Sequence, residues 1–98
     1  MGIIEGLNKI FESRVRLGIM STLMVNDSID YNTLKELLDI TDGNLASHIK
    51  ALEKAEYIII EKRFVGKKPN TNYKASKAGK AAFKSHLNAL EKILKGKI

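Results

Sequence analysis

The chain has 98 residues, 17 Lys and Arg against 11 Asp and Glu, and neither Cys nor Trp. At this length a single domain over residues 1–98 is expected, with a small core burying roughly 60–65% of the unfolded surface. The lack of Cys excludes a disulfide framework and a thiolate metal site, and no apolar run approaches the ~18–20 residues that cross a bilayer. The net charge of +6 points to a polyanionic partner, a nucleic acid or a membrane surface. No Lys/Arg-rich stretch precedes an apolar segment as in a secretory signal, so a cytoplasmic location is expected.

In chain order, Ile3, Ile4, Leu7, Ile10 and Phe11 recur with helical spacing, and Ser13 is placed to cap a helix carrying Val15, Leu17, Ile19, Met20, Leu23 and Met24. Asn26-Asp27-Ser28 breaks the pattern, and Ser28-Ile29-Asp30 allows a brief strand. Asn32 or Tyr31 precedes a second helix with Thr33–Leu38 as its body, an Asn being suited to cap it, and Thr41 caps a third with Asp42 beside it. Tyr57–Phe64 reads as a strand, Val65–Asn70 as a turn with Pro69 and Asn70 at its centre, and Thr71–Ala75 as the returning strand. Ser76 caps a last helix that Gly96 ends. Its Phe83, Leu87, Leu90 and Leu94 step by 4, 3 and 4 as in a heptad seam.

The charge is unevenly placed. Residues 1–61 hold 6 basic and 10 acidic side chains, net −4, whereas residues 62–98 hold 11 basic and one acidic, net +10. The excess begins at the predicted hairpin.

Helix, short turn, helix and basic hairpin is the ordering of a winged helix-turn-helix, here mainly α with a small β-hairpin wing. A helix that enters the major groove must present small or polar residues outward. At about 100° per residue, Leu45, Ile49 and Leu52 share one face of the third helix. The opposite face carries Gly43, Asn44, Ser47, Lys50, Ala51 and Lys54, with no acid and no bulky apolar side chain. His48 borders the core side. Asn44 is the best base-reading candidate, because Asn pairs with adenine and this helix has no Arg.

The segments Thr33–Leu38, Thr41–Ala55, Phe64–Tyr73, Ser76–Gly79 and Ser13–Met20 together resemble small MarR-like winged-helix transcriptional regulators and their ArsR-like relatives. The resemblance covers nearly the whole chain. It implies a homodimer that binds pseudo-palindromic double-stranded DNA, usually as a repressor. It also implies a recognition helix over Thr41–Glu56 with Thr41, Asp42, Gly43, Asn44, Ser47, His48, Lys50 and Lys54 at the DNA. The wing would contribute Arg63, Lys67, Lys68, Asn70 and Thr71. Many such regulators answer to a small-molecule effector, which nothing in this sequence names. One departure is Glu56, where the family often has a Gly to end the helix in the left-handed region.

The apolar stripes of Ile3, Ile4, Leu7, Ile10 and Phe11 and of Phe83, Leu87, Leu90 and Leu94 exceed what a two-layer winged helix needs. Dimerisation helices at both ends are therefore expected. His48 and His86 have no carboxylate at a motif spacing, Gly79-Lys80 lacks the rest of a phosphate-binding loop, and no paired His or clustered acids suit a metal. No catalytic, metal or cofactor site is expected. The alternatives are a winged helix that docks an acidic protein and a nonspecific nucleic-acid binder.

Overall fold

In the computed structural model, which describes residues 2–96, four helices enclose a three-stranded antiparallel sheet. The elements are α1 (Arg14–Met24), β1 (Ile29–Asp30), α2 (Tyr31–Leu38), α3 (Asp42–Lys54), β2 (Ile58–Val65), β3 (Lys68–Ala75) and α4 (Lys77–Lys95). The sheet order is β1-β3-β2.

Local chemistry explains the helix starts. At α1, α3 and α4 the hydroxyls of Ser13, Thr41 and Ser76 accept from the amides of Arg16, Asn44 and Gly79. Each such cap contributes about 1 kcal/mol. At α2 the cap is Asp30 rather than Tyr31 or Asn32, both of which lie inside the helix. The Asp30 carboxylate accepts from the Thr33 amide at 3.2 Å, and hydrogen bonding from Thr33, its side chain first and its backbone after, holds Asp30 below its ordinary pKa. Asp30 can do this because β1, by pairing with β3, holds it in the extended conformation a cap requires.

Glu56 does adopt the left-handed region, with φ +64°. The amide of Tyr57 reaches back to the Leu52 carbonyl at 3.0 Å and that of Glu56 to Glu53 at 2.9 Å. These two bonds form a Schellman ending without glycine. They offset the strain of a side chain there, roughly 1 kcal/mol.

The hairpin turns earlier than its Pro suggests. β2 and β3 pair without a bulge from Ile58↔Ala75 to Val65↔Lys68, leaving a two-residue loop of Gly66 and Lys67. Gly66 lies at φ +67°, which a residue without Cβ adopts freely. Pro69 is inside β3, opposite Phe64. Its missing donor is tolerated because β1 covers β3 only at Asn72 and Tyr73, so at Pro69 the strand has one neighbour.

The core joins Ile19, Met20 and Leu23 of α1, Leu34 of α2, and Leu45, Ile49 and Leu52 of α3 to Ile58, Tyr73 and Ala75 of the sheet. A second centre forms around Phe11. It stacks on Tyr57 at 5.5 Å, meets Phe83 edge-on at 5.2 Å and lies 5.3 Å from the His86 ring.

That centre corrects two expectations. The N-terminal stripe is not a helix: turns lead to a single 3-10 turn at Lys9–Phe11. Asn8 diverts the backbone. Its side chain accepts from the Ile10 amide and donates to the Tyr57 hydroxyl, while its own amide donates to His86 Nδ1 at 3.0 Å. The segment lies along α4, so close that a Cβ on Gly6 would come 2.9 Å from that of Ala89. The second correction concerns the interface list. Phe11 and Phe83 are buried in this chain's own core and Leu7 and Ile10 are half-buried, whereas Ile3, Ile4, Leu87, Leu90 and Leu94 are exposed.

Candidate nucleic-acid interface

Leu45, Ile49 and Leu52 bury one face of α3, and this orients the rest of the helix outward. Thr41, Asp42, Gly43, Asn44, Ser47, Lys50 and Lys54 are all exposed, so the expected outer face exists as a surface. Ala51 is half-buried instead, and Ala46 and Glu53 are exposed beside the others.

Hydrogen bonds separate these residues by role. The Thr41 hydroxyl is committed to the Asn44 amide at 3.2 Å. Because Thr41 makes the cap, the Asn44 side chain is not needed for it. The Asp42 carboxylate meets Lys35 Nζ at 3.1 Å and the Tyr31 hydroxyl at 3.1 Å. Those partners, Lys35 first, hold Asp42 below its ordinary pKa. They also tie α2 to the start of α3 and blunt a charge that would repel phosphate.

His48 is half-buried against α1. Arg16 Nη1 lies 2.9 Å from its Nδ1, and Arg16 Nε donates to the Ile10 carbonyl at 2.6 Å. A guanidinium can only donate, so Nδ1 carries the lone pair and the ring hydrogen sits on Nε2. Burial, and then the Arg16 charge, push the His48 pKa down and favour this neutral ring. Arg16 was not among the sequence candidates. The two residues are 32 apart along the chain, and nothing local announces the pair.

In the hairpin, Arg63, Lys67 and Lys68 are exposed and Asn70 and Thr71 are half-buried. The Asn72 side-chain amide donates to Asn70 Oδ1, which holds that side chain against the strand. Lys62 also projects, an addition to the expected set. Glu61, the acid nearest the tip, lies 3.8 Å from Lys74 Nζ. The hairpin thus offers a row of cations whose one adjacent acid is paired.

Residues 15–94 match the family described as winged helix DNA-binding domain. The chain belongs to that family. This winged-helix protein is 34% identical over 87 residues to an uncharacterized protein of Methanocaldococcus jannaschii, covering 89% of this chain and 95% of the relative. Among solved structures it is similar to a transcriptional regulator homologue from Pyrococcus horikoshii, with TM-score 0.85 and 30% identity over 96% of this chain and 91% of the other. A MarR-family protein from Porphyromonas gingivalis shares the fold at TM-score 0.70 and 18% identity, covering 91% and 86%. Reduced AbfR bound to DNA does so at TM-score 0.76 and 16% identity, covering 97% and 68%. The winged-helix protein thus carries a winged-helix DNA-binding domain and shares its fold with a MarR-family protein. Among the described residues, no helix is long and apolar enough to cross a membrane.

Proposed function

We propose that the winged-helix protein is a cytoplasmic transcriptional regulator, a repressor, that binds a pseudo-palindromic operator as a homodimer. The observation that carries this is the outer face of α3. Gly43, Asn44, Ser47 and Lys50 are exposed on a helix whose other side is locked into the core. The small Gly43 and Ser47 let the helix backbone approach base edges, with Asn44 the candidate reader of adenine. The basic hairpin supplies phosphate contacts, which position the protein and give affinity without sequence information.

Exposed Leu87, Leu90 and Leu94 on α4, with Ile3 beside the same helix and Ile4 exposed next to it in the chain, support pairing of two copies. In this reading residues 1–98 act as one DNA-binding unit, with its two ends forming the dimer contact. Two-fold pairing matches half-sites one helical turn, about 34–36 Å, apart.

Selection of bound duplexes from a random library, followed by footprinting, tests the proposal. The expected result is an inverted repeat protected on one side of the helix. Binding without an enriched motif would make the protein a nonspecific binder, and no duplex binding would make it a protein-docking module.

A further inference from the structure

The wing ends in an aromatic that its own chain does not use. Phe64 is 73% exposed. The bulge-free register places it on the same face of the hairpin as Ile58, Ile60 and Lys62, opposite Pro69 and in line with Tyr73 and Ala75. Ile58, Tyr73 and Ala75 are buried in the core with Leu45, Ile49 and Leu52 of α3. Phe64 and Pro69 therefore extend the sheet's recognition-helix side past the end of the core. Val65, on the other face, has neighbours, since it lines a groove with Arg63, Asn70 and Leu37.

Three features fit this apolar tip to one partner. Lys62 shares its face, Arg63, Lys67 and Lys68 flank it along the hairpin, and from Lys62 to Leu90 the sequence holds no acid. This suits a polyanion and disfavours an acid-poor apolar protein surface. The two-residue loop and continuous pairing hold the backbone beneath the ring in place, so docking orders little more than one side chain. Phe and Pro are also side chains that act as wedges in a minor groove.

We infer that Phe64, backed by Pro69, is a non-electrostatic anchor that seats in the DNA minor groove beside the major groove read by α3. This rests on the DNA reading above. The flanking cations bring the hairpin to the phosphates, and the ring then excludes water from the groove wall.

The experiment compares wild type, Phe64→Ala and Phe64→Leu on the duplex enriched by selection, across a range of salt concentrations. Phe64→Ala is expected to weaken binding about tenfold at every salt concentration, with the slope of log affinity against log salt unchanged. Phe64→Leu should recover most of the loss. Shortening the duplex to remove the flanking minor groove should erase the difference between wild type and Phe64→Ala. Equal affinity of Phe64→Ala and wild type on the full duplex would overturn the inference while leaving the DNA reading intact. So would a loss that persists on the shortened duplex. Failure of the wild type to bind any duplex would remove both. Because the ring is exposed, unchanged thermal melting of both variants is expected, and it serves as the folding control.

Discussion

α4 and the wing hairpin are both anchored at one end and free at the other. The first turns of α4 are held tightly, with Gly79, Phe83 and His86 buried. Its last three turns expose Leu87, Leu90 and Leu94. The hairpin is buried at Ile58, Tyr73 and Ala75 and projects at Phe64 and Val65. The two free ends differ in electrostatic setting. On α4, Glu91 lies among the leucines and pairs with Lys95, so an acid stands at that end. On the hairpin the apolar tip is flanked by unopposed cations. Exposed apolar area alone says only that a partner exists, and the charges around it say which kind.

The anchored end of α4 should give the largest effects. Phe83→Ala removes the edge-on partner of Phe11 and is expected to cost about 3–4 kcal/mol in chemical denaturation. Gly79→Ala would place a Cβ 2.0 Å from the Tyr57 carbonyl oxygen. The backbone must move, at about 2–3 kcal/mol, which outweighs the helix propensity gained.

At the free end the pattern should invert. Leu90→Lys with Leu94→Lys is expected to leave the monomer's stability within about 0.5 kcal/mol, while sedimentation shifts from dimer to monomer. A monomeric wild type would remove the contrast between the two ends.

On the hairpin, Lys67→Ala with Lys68→Ala should weaken binding to all sequences alike and lower the salt slope by up to about 2. An unchanged slope in a salt titration would take the wing off the DNA.

The smallest effect concerns His48. Its pKa is pushed below the ordinary 6.5, so the unfolded chain takes up the proton more readily than the folded one. Stability from this ring is therefore fully present above pH 6.5 and falls as pH drops below it. Melting curves of His48→Gln should show a shallower loss between pH 6.5 and 5 than wild type. Parallel curves would mean that burial and the Arg16 charge do not hold the ring neutral.

Much of this was legible where the cause is local. Ser13, Thr41 and Ser76 cap helices because a hydroxyl three residues before an amide needs no distant help. The outer face of α3 follows from three leucine and isoleucine positions and the helical period. The rest depended on tertiary partners. Pro69 looked like a turn residue, but Gly66 sets the turn and the pairing register then carries Pro69 into β3. Ile3 to Phe11 have helical spacing, yet Asn8 finds His86 and Tyr57, both far along the chain. The heptad steps from Phe83 to Leu94 could not reveal that the first position belongs to a different environment from the other three. Arg16 and His48 meet only because α1 and α3 pack together.

The Schellman ending at Glu56 does more than stop a helix. The Glu56 carbonyl accepts from the Ser76 hydroxyl at 2.7 Å, and the Tyr57 carbonyl accepts from the Ser76 amide at 2.9 Å while lying against Gly79. The end of α3 and the start of α4 thus form one welded corner, with no free peptide to absorb a twist. The corner therefore fixes where α4 begins relative to where α3 ends. At about 1.5 Å per residue, the 19 residues of α4 carry its exposed leucines as far as roughly 27 Å from that corner.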